Sequence, residues 1–254
     1  MEQIPAHRAP LLQSGVSDQA RRQPAQPLRA CLLSGGESRR MGRDKALLPH
    51  PEGGTWLERT LQLLSALELP ITLFSRHEAH RQLARTWADS GVGTGVGTEG
   101  PAAAAALEAI AEPPPWEGPL LALLRLIERY PGERLLLCPV DMPTLNTETL
   151  AELLTAAAAE PTAIHLADDG ARLQPLLAVL PASPRLQADL AAAVAGGERR
   201  LQRWLTRQPH RAVRLDPAAL CNCNRPEEIP RTTEARPTLT SGAAAGDDRP
   251  KRPG

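Results

Sequence analysis

A chain of 254 residues with 29 basic and 29 acidic side chains carries no formal net charge, which argues against a nucleic-acid-coating surface or a polybasic membrane patch. Aromatic residues are 2% of the chain, so stacking platforms for single-stranded nucleic acid are few and the core must be built from Leu, Ala, Val and Ile. No apolar run approaches the roughly 20 residues that span a bilayer. Residues 1–27 are polar with no signal-peptide h-region, so the expectation is a cytoplasmic protein with no membrane and no nucleic-acid partner.

The length suits one α/β domain with tails. Residues 1–27 and 230–254 are rich in Pro, Ala, Arg, Gly and Thr without periodicity and read as disordered extensions, leaving 28–229 as the folded domain. Residues 28–34 form a short apolar strand that runs into a glycine-rich loop. Residues 55–67 carry a helical stripe of Trp56, Leu57, Leu61, Leu63, Leu64 and Leu67. A strand is expected at 70–75 and a helix at 77–89. The segment Gly91-Val-Gly-Thr-Gly-Val-Gly-Thr98 is a tetrapeptide duplication followed by an alanine run. Because it does not lead from a clear strand into a capped helix, 91–108 reads as an insertion or loop rather than a phosphate cradle.

Beyond it, 120–130 reads as a helix ended by Pro131-Gly132, and 134–140 as a buried strand. Asn146 or Thr147 caps a helix to about 159. Strands are expected at 162–166 and 173–180, the latter antiparallel to a neighbour. Helices follow at about 183–195 and 198–207, then short strand-like runs at 213–215 and 219–223. Strand alternating with helix predicts a three-layer α/β domain, a mostly parallel sheet with helices on both faces. Ligands in such sheets sit beyond the carboxyl ends of the strands.

Cys31, Cys138, Cys221 and Cys223 read as ordinary thiols in a reducing compartment. A four-cysteine zinc site is the alternative, against the usual ligand spacings.

Three segments carry chemistry. The first is Leu33-Ser34-Gly35-Gly36-Glu37-Ser38-Arg39-Arg40-Met41-Gly42-Arg43-Asp44-Lys45. Gly35 and Gly36 directly after a strand let the backbone approach a nucleotide closely. Arg39, Arg40, Arg43 and Lys45 gather charge that calls for an anion such as a triphosphate. Lys45 and Lys251 are the two lysines of a chain that otherwise uses arginine. Lysine is a compact point charge where arginine is a planar fork, so Lys45 marks a place that needs the former. The spacing fits neither a P-loop nor a dinucleotide fingerprint.

The second is Cys138-Pro139-Val140-Asp141-Met142-Pro143, a carboxylate held between two prolines after a buried strand. One carboxylate beside phosphates suits Mg²⁺. The third is Cys221-Asn222-Cys223-Asn224-Arg225-Pro226-Glu227-Glu228, read as a short strand entering a helix. Gly196-Gly197-Glu198-Arg199-Arg200 and Gln174-Pro175 are further candidates.

Together these segments resemble the molybdenum cofactor guanylyltransferases. That family shares Leu-x-Gly-Gly-x-Ser/Ala-x-Arg-Met-Gly-x-Asp-Lys, Cys-Pro-x-Asp-x-Pro and Asn-x-Asn-x-Pro-Glu-Glu, which occur here in the same order at 33–45, 138–143 and 222–228. Trp116-Glu117-Gly118-Pro119-Leu120 is similar to its Gly-Pro-Leu segment.

The resemblance implies a nucleotide-diphospho-sugar-transferase-like Rossmann variant that uses GTP and Mg²⁺ to move GMP onto molybdenum-molybdopterin. It implies Leu33, Ser34, Gly35, Gly36, Arg39, Lys45, Glu112 and Asp141 at GTP, with Lys45 and Asp141 catalytic and Asp141 the metal ligand. The pterin side falls to Pro175, Arg199, Asn222 and Asn224. Molybdoenzymes or cofactor-delivery proteins are candidate partners.

Two departures stand out. Leu73-Phe74-Ser75-Arg76-His77 lacks the family's Asn near the end of the second strand. The family's nucleotide-contacting Asp falls near Ala111-Glu112, where Glu112 is the substitute carboxylate. The alternatives are a cytidylyltransferase or other nucleotidyltransferase, and a non-catalytic carrier of the cofactor.

Overall fold

The run Leu28–Leu33 forms β1, whose side chains alternate between two separate cores. The computed structural model describes residues 26–36, 43–91 and 106–222. After β1 comes a 3-10 turn, Lys45–Leu47, then α1 (Trp56–Ser65), β2 (Ile71–Ser75), α2 (Glu78–Asp89), β3 (Leu107–Ala111) and α3 (Pro119–Arg129). The second half holds β4 (Arg134–Pro139), α4 (Thr147–Ala159), β5 (Ile164–Asp168), β6 (Leu173–Pro181), α5 (Pro184–Ala195), α6 (Leu201–Leu205) and β7 (His210–Arg214).

The strands form one seven-stranded sheet in the order β3-β2-β1-β4-β6-β5-β7. β1 pairs parallel with β2 and β4, β2 with β3, and β5 with β7. β6 alone runs the other way, antiparallel to β4 and β5. Period-two alternation sends Ala30, Leu32, Leu136, Cys138, Leu177 and Val179 to one face, where they pack with Leu57 and Leu61 of α1, Trp87 of α2 and Leu150 of α4. Cys31, Leu135, Leu137, Ala178 and Leu180 face the other side, against α3, α5 and α6. The result is the expected three-layer α/β domain.

Local chemistry sets the helix starts. Thr55 and Glu58 form a reciprocal capping box at α1, with Thr55 N donating to Glu58 Oε2 at 2.7 Å; such caps stabilise a helix by about 1 kcal/mol. Asn146 Oδ1 accepts from Thr149 N at 2.9 Å to start α4. At α3 the cap is Gly118 with φ 98°, a left-handed conformation that favours glycine, followed by Pro119 at the first helical position.

Several expectations need correcting. Leu107–Ala111 is an edge strand, β3, not the end of a loop; residues 92–105 of the proposed insertion lie outside the described residues. The strand expected at 213–215 is β7, starting earlier at His210. The helix expected over 198–207 is the shorter α6. The run expected as a strand at 219–223 is a turn through Leu220, because Asp216 Oδ1 accepts from Ala218 N at 2.9 Å and Asp216 O accepts from Ala219 N at 3.1 Å. Cys31 and Cys138 face opposite sides of the sheet, so the four-cysteine zinc alternative is excluded. Among the described residues, no helix is long and apolar enough to cross a membrane.

Candidate active site

The strand order opens a crevice. From β1 the chain builds β2 and β3 to one side, then returns to place β4 on the other. Loops leaving the carboxyl ends of β1 and β4 therefore diverge, and such a switch point is where open α/β sheets bind ligands. Because β6 runs against β4, its first residues reach the same edge; Leu137 pairs with Ala178, which brings Leu176 to the crevice.

Two cavities adjoin there. One, of about 210 Å³, is lined by Ser34, Asp44, Lys45, His80, Val140 and Asp141. The other, of about 430 Å³, is lined by Gly35, Phe74, Arg76, Glu112, Trp116 and Gly118. Both touch Leu33, Gly36 and Leu176, so they form two halves of one cleft. A wider surface cleft of about 880 Å³ is walled by α1, α2 and the loop before α1, and holds none of the sequence-predicted site residues.

In the smaller cavity Lys45 opens the 3-10 turn, whose cap is Asp44; Asp44 Oδ1 accepts from Ala46 N at 3.1 Å. Lys45 Nζ stands 3.8 Å from Asp141 Oδ2. Burial pushes the Asp141 carboxyl above its usual range, with the Lys45 ammonium pulling the other way. The other oxygen of Asp44, Oδ2, lies 2.7 Å from His80 Nε2. His80 is buried, and its Nδ1 lies 2.9 Å from the Ser34 carbonyl, 3.1 Å from Ser34 Oγ and 3.2 Å from Ser75 Oγ. Burial pulls the imidazole below its usual value, with Asp44 opposing. Asp44 Oδ2 and the Ser34 carbonyl can only accept, so a proton on either ring nitrogen has an acceptor within hydrogen-bond reach. Cys138 of β4 is buried, and burial pushes its thiol up to about 12.

In the larger cavity Glu112 follows β3 and is 8% exposed. Its Oε1 lies 3.5 Å from Arg125 Nη1. Burial pushes this carboxyl up, against the pull of Arg125 and Arg76. Glu112 Oε2 lies 2.8 Å from where a Cβ on Gly35 would stand, so a side chain there would push the carboxylate aside.

The fold thus brings Leu33, Ser34, Gly35, Gly36, Lys45, Glu112 and Asp141 around one cleft. Arg39 and Arg40 lie outside the described residues. Of the expected pterin residues, none of those described lines either cavity. Pro175 is on β6 beside Leu176. Arg199 precedes α6 and pairs with Glu117 at 2.7 Å. Asn222 Nδ2 donates to Gln174 Oε1 at 2.9 Å, and Asn224 lies outside the described residues. Sequence reasoning did not single out Asp44, Arg76, His80, Trp116 or Leu176. Asp44 had a signal, since aspartate immediately before a short helical turn is a favoured cap.

The chain is similar to known proteins. The MobA-like NTP transferase domain matches residues 30–212. A probable molybdenum cofactor guanylyltransferase of Rhodopirellula baltica is 31% identical over 209 residues, covering 80% of this chain and 90% of that protein. A molybdenum cofactor guanylyltransferase of Shewanella amazonensis is 26% identical, covering 81% of this chain and 95% of that protein. The fold also matches the crystal structure of molybdopterin-guanine dinucleotide biosynthesis protein A from Archaeoglobus fulgidus, with TM-score 0.55, 17% identity and coverage of 79% of this chain and 94% of that one. The chain belongs to the MobA-like NTP transferase family and is a nucleotidyltransferase.

Proposed function

We propose that this enzyme transfers GMP from GTP to the terminal phosphate of molybdenum-molybdopterin, giving molybdopterin guanine dinucleotide and pyrophosphate. The observation that carries this reading is the pairing of two joined half-sites. Lys45 and Asp141 stand 3.8 Å apart in one, and the half-buried Gly35–Glu112 wall forms the other.

A phosphate oxygen of the pterin attacks the α-phosphorus of GTP. A new P–O bond forms, and the bond from that phosphorus to the bridging oxygen breaks, so pyrophosphate leaves with the electron pair. No protein nucleophile is needed; alignment and charge neutralisation do the work. The Lys45 ammonium faces the triphosphate as a point charge, held by the turn that Asp44 caps. Gly35 and Gly36 let the backbone lie close to the nucleotide.

Asp141 fits a divalent cation of the Mg²⁺ type. It offers one carboxylate at the cleft, and among the described residues no group of three or more His, Cys, Asp or Glu could cage a metal alone. Mg²⁺ takes one or two carboxylates and completes its shell from water and substrate phosphates. When bound, it neutralises charge developing on the phosphate oxygens.

Glu112 gives the base preference. Guanine presents two donors on one edge, N1–H and the 2-amino group, which one carboxylate accepts together. Cytosine and adenine each present an acceptor beside a single donor. Arg39 joins the triphosphate side, and Pro175, Arg199, Asn222 and Asn224 the pterin side. Mass analysis of the product tests the reading. It predicts a guanine dinucleotide of the pterin; a cytosine dinucleotide as the main product from mixed nucleotides contradicts it.

A further inference from the structure

Trp116 is the large hydrophobic side chain that the described residues leave exposed, at 52%. A single exposed apolar residue is unremarkable by itself. Here three further observations converge. Trp116 lines the same 430 Å³ cavity as Glu112 and Gly35. Its Nε1, the one polar atom of the ring, donates to the Glu112 carbonyl at 2.9 Å, which fixes the indole plane. The Arg76 guanidinium, arriving from the end of β2, lies 5.5 Å from the ring centroid, within the roughly 6 Å reach of a cation–π contact. The ring is thus held at the mouth of the cavity with its polar atom already satisfied.

We propose that the Trp116 indole, with Arg76 as its cationic partner, is the platform on which the guanine base of GTP stacks. This rests on the function proposed above and adds a binding residue to it. Stacking on an aromatic face is tolerant of base identity, because every base has a π-face. It supplies affinity, while the Glu112 carboxylate supplies discrimination. The hydrogen bond from Trp116 to the Glu112 backbone keeps the two in register. Phe74 lines the same cavity but is buried, so Trp116 is the ring with a face to offer. The 2-amino-4-oxo edge of a pterin presents the same donors and acceptor as the 2-amino-6-oxo edge of guanine. The cavity is assigned to the nucleotide because it opens through Leu33, Gly36 and Leu176 into the Lys45–Asp141 half-site, where the triphosphate would lie.

The other tryptophans are Trp56 at 1%, Trp87 at 9% and Trp204 at 1% exposed, so acrylamide quenching of intrinsic fluorescence reports mainly on Trp116. GDP with Mg²⁺ is expected to protect the wild-type protein from this quenching, and a 6-substituted pterin without nucleotide is not. Trp116→Ala should weaken GDP binding and raise the KM for GTP by about tenfold, with a smaller change in kcat and an unchanged GTP-to-ATP preference. Trp116→Phe should keep most of the affinity. The side chain is exposed, and thermal melting checks that the variants fold. Protection by the pterin but not by GDP overturns the assignment, as does unchanged GDP affinity in Trp116→Ala. If the wild type turns over GTP while either result holds, the platform is wrong and the guanylyltransferase reading stands. If no pyrophosphate is released from GTP, that reading fails first.

Discussion

Lys45 Nζ lies 3.8 Å from Asp141 Oδ2, across the point where β1 and β4 send their loops apart. Both side chains are part-exposed at the cleft, at 19% and 31%, so a phosphate or a metal can reach each of them. Asp141→Ala and Lys45→Ala should each lower kcat by about 100-fold or more, the scale of losing one electrostatic contact to a developing charge. Melting temperatures should change little, because both side chains are part-exposed. Lys45→Arg is the sharper test: a planar fork cannot occupy the same point, so it should not rescue. Kinetics of Lys45→Arg near wild type would remove the point-charge requirement.

Glu112 predicts a pH dependence. Burial holds its carboxyl above the usual carboxylate range, so the folded protein keeps this proton to higher pH than the unfolded chain does. Its contribution to stability is therefore fully present below the unfolded value and is lost as pH rises through the folded one. Guanine recognition runs the other way, since only the ionised carboxylate accepts from both donors. The KM for GTP should rise as pH falls through the raised value. Glu112→Gln should flatten that limb and reduce the GTP-to-ATP preference by about 10- to 100-fold. A steep acid limb surviving in Glu112→Gln would assign it to another group.

Gly35→Ala puts a Cβ 2.8 Å from Glu112 Oε2. The carboxylate can swing away, so the change in stability should be small. The displaced group is the one that reads the base, so the KM for GTP should rise while kcat changes less. Normal GTP recognition in this variant would show that Glu112 does not need its observed position.

His80 ties the Lys45 turn to the sheet, with Asp44 on one nitrogen and Ser34 and Ser75 on the other. His80→Ala leaves buried polar groups without partners, a cost of about 1–3 kcal/mol. For a chain of this size that lowers the melting temperature by about 2–4 °C per kcal/mol. Asp44→Ala should also free the turn and reduce kcat, as it removes the cap at Ala46 N. A stable, fully active His80→Ala enzyme would show that the tether is dispensable.

The legible parts of this protein were its interior strands and the loops that leave them. Residues 30–33 and 135–140 are continuous apolar runs because β1 and β4 are covered on both faces; Asp141 follows the second directly, and Lys45 closes the glycine loop that leaves the first. Edge strands gave weaker signals. In β3, Leu-Glu-Ala-Ile-Ala is only partly buried, and Glu108 points to Tyr130 at 2.7 Å rather than into a core. In β7, His210 and Arg211 precede the apolar residues, so only its end looked like a strand. His80 and Trp116 reach the site from α2 and from the loop before α3, by tertiary folding that no local spacing encodes. The pterin residues were assigned by resemblance alone, and none of those described lines the two cavities.

The most direct test of GMP transfer is pyrophosphate release by the purified protein with molybdenum-molybdopterin and Mg²⁺, comparing GTP, CTP and ATP. Release that requires GTP and the pterin together is the predicted result. Release driven by CTP, or pterin binding with no release from any nucleotide, would contradict it.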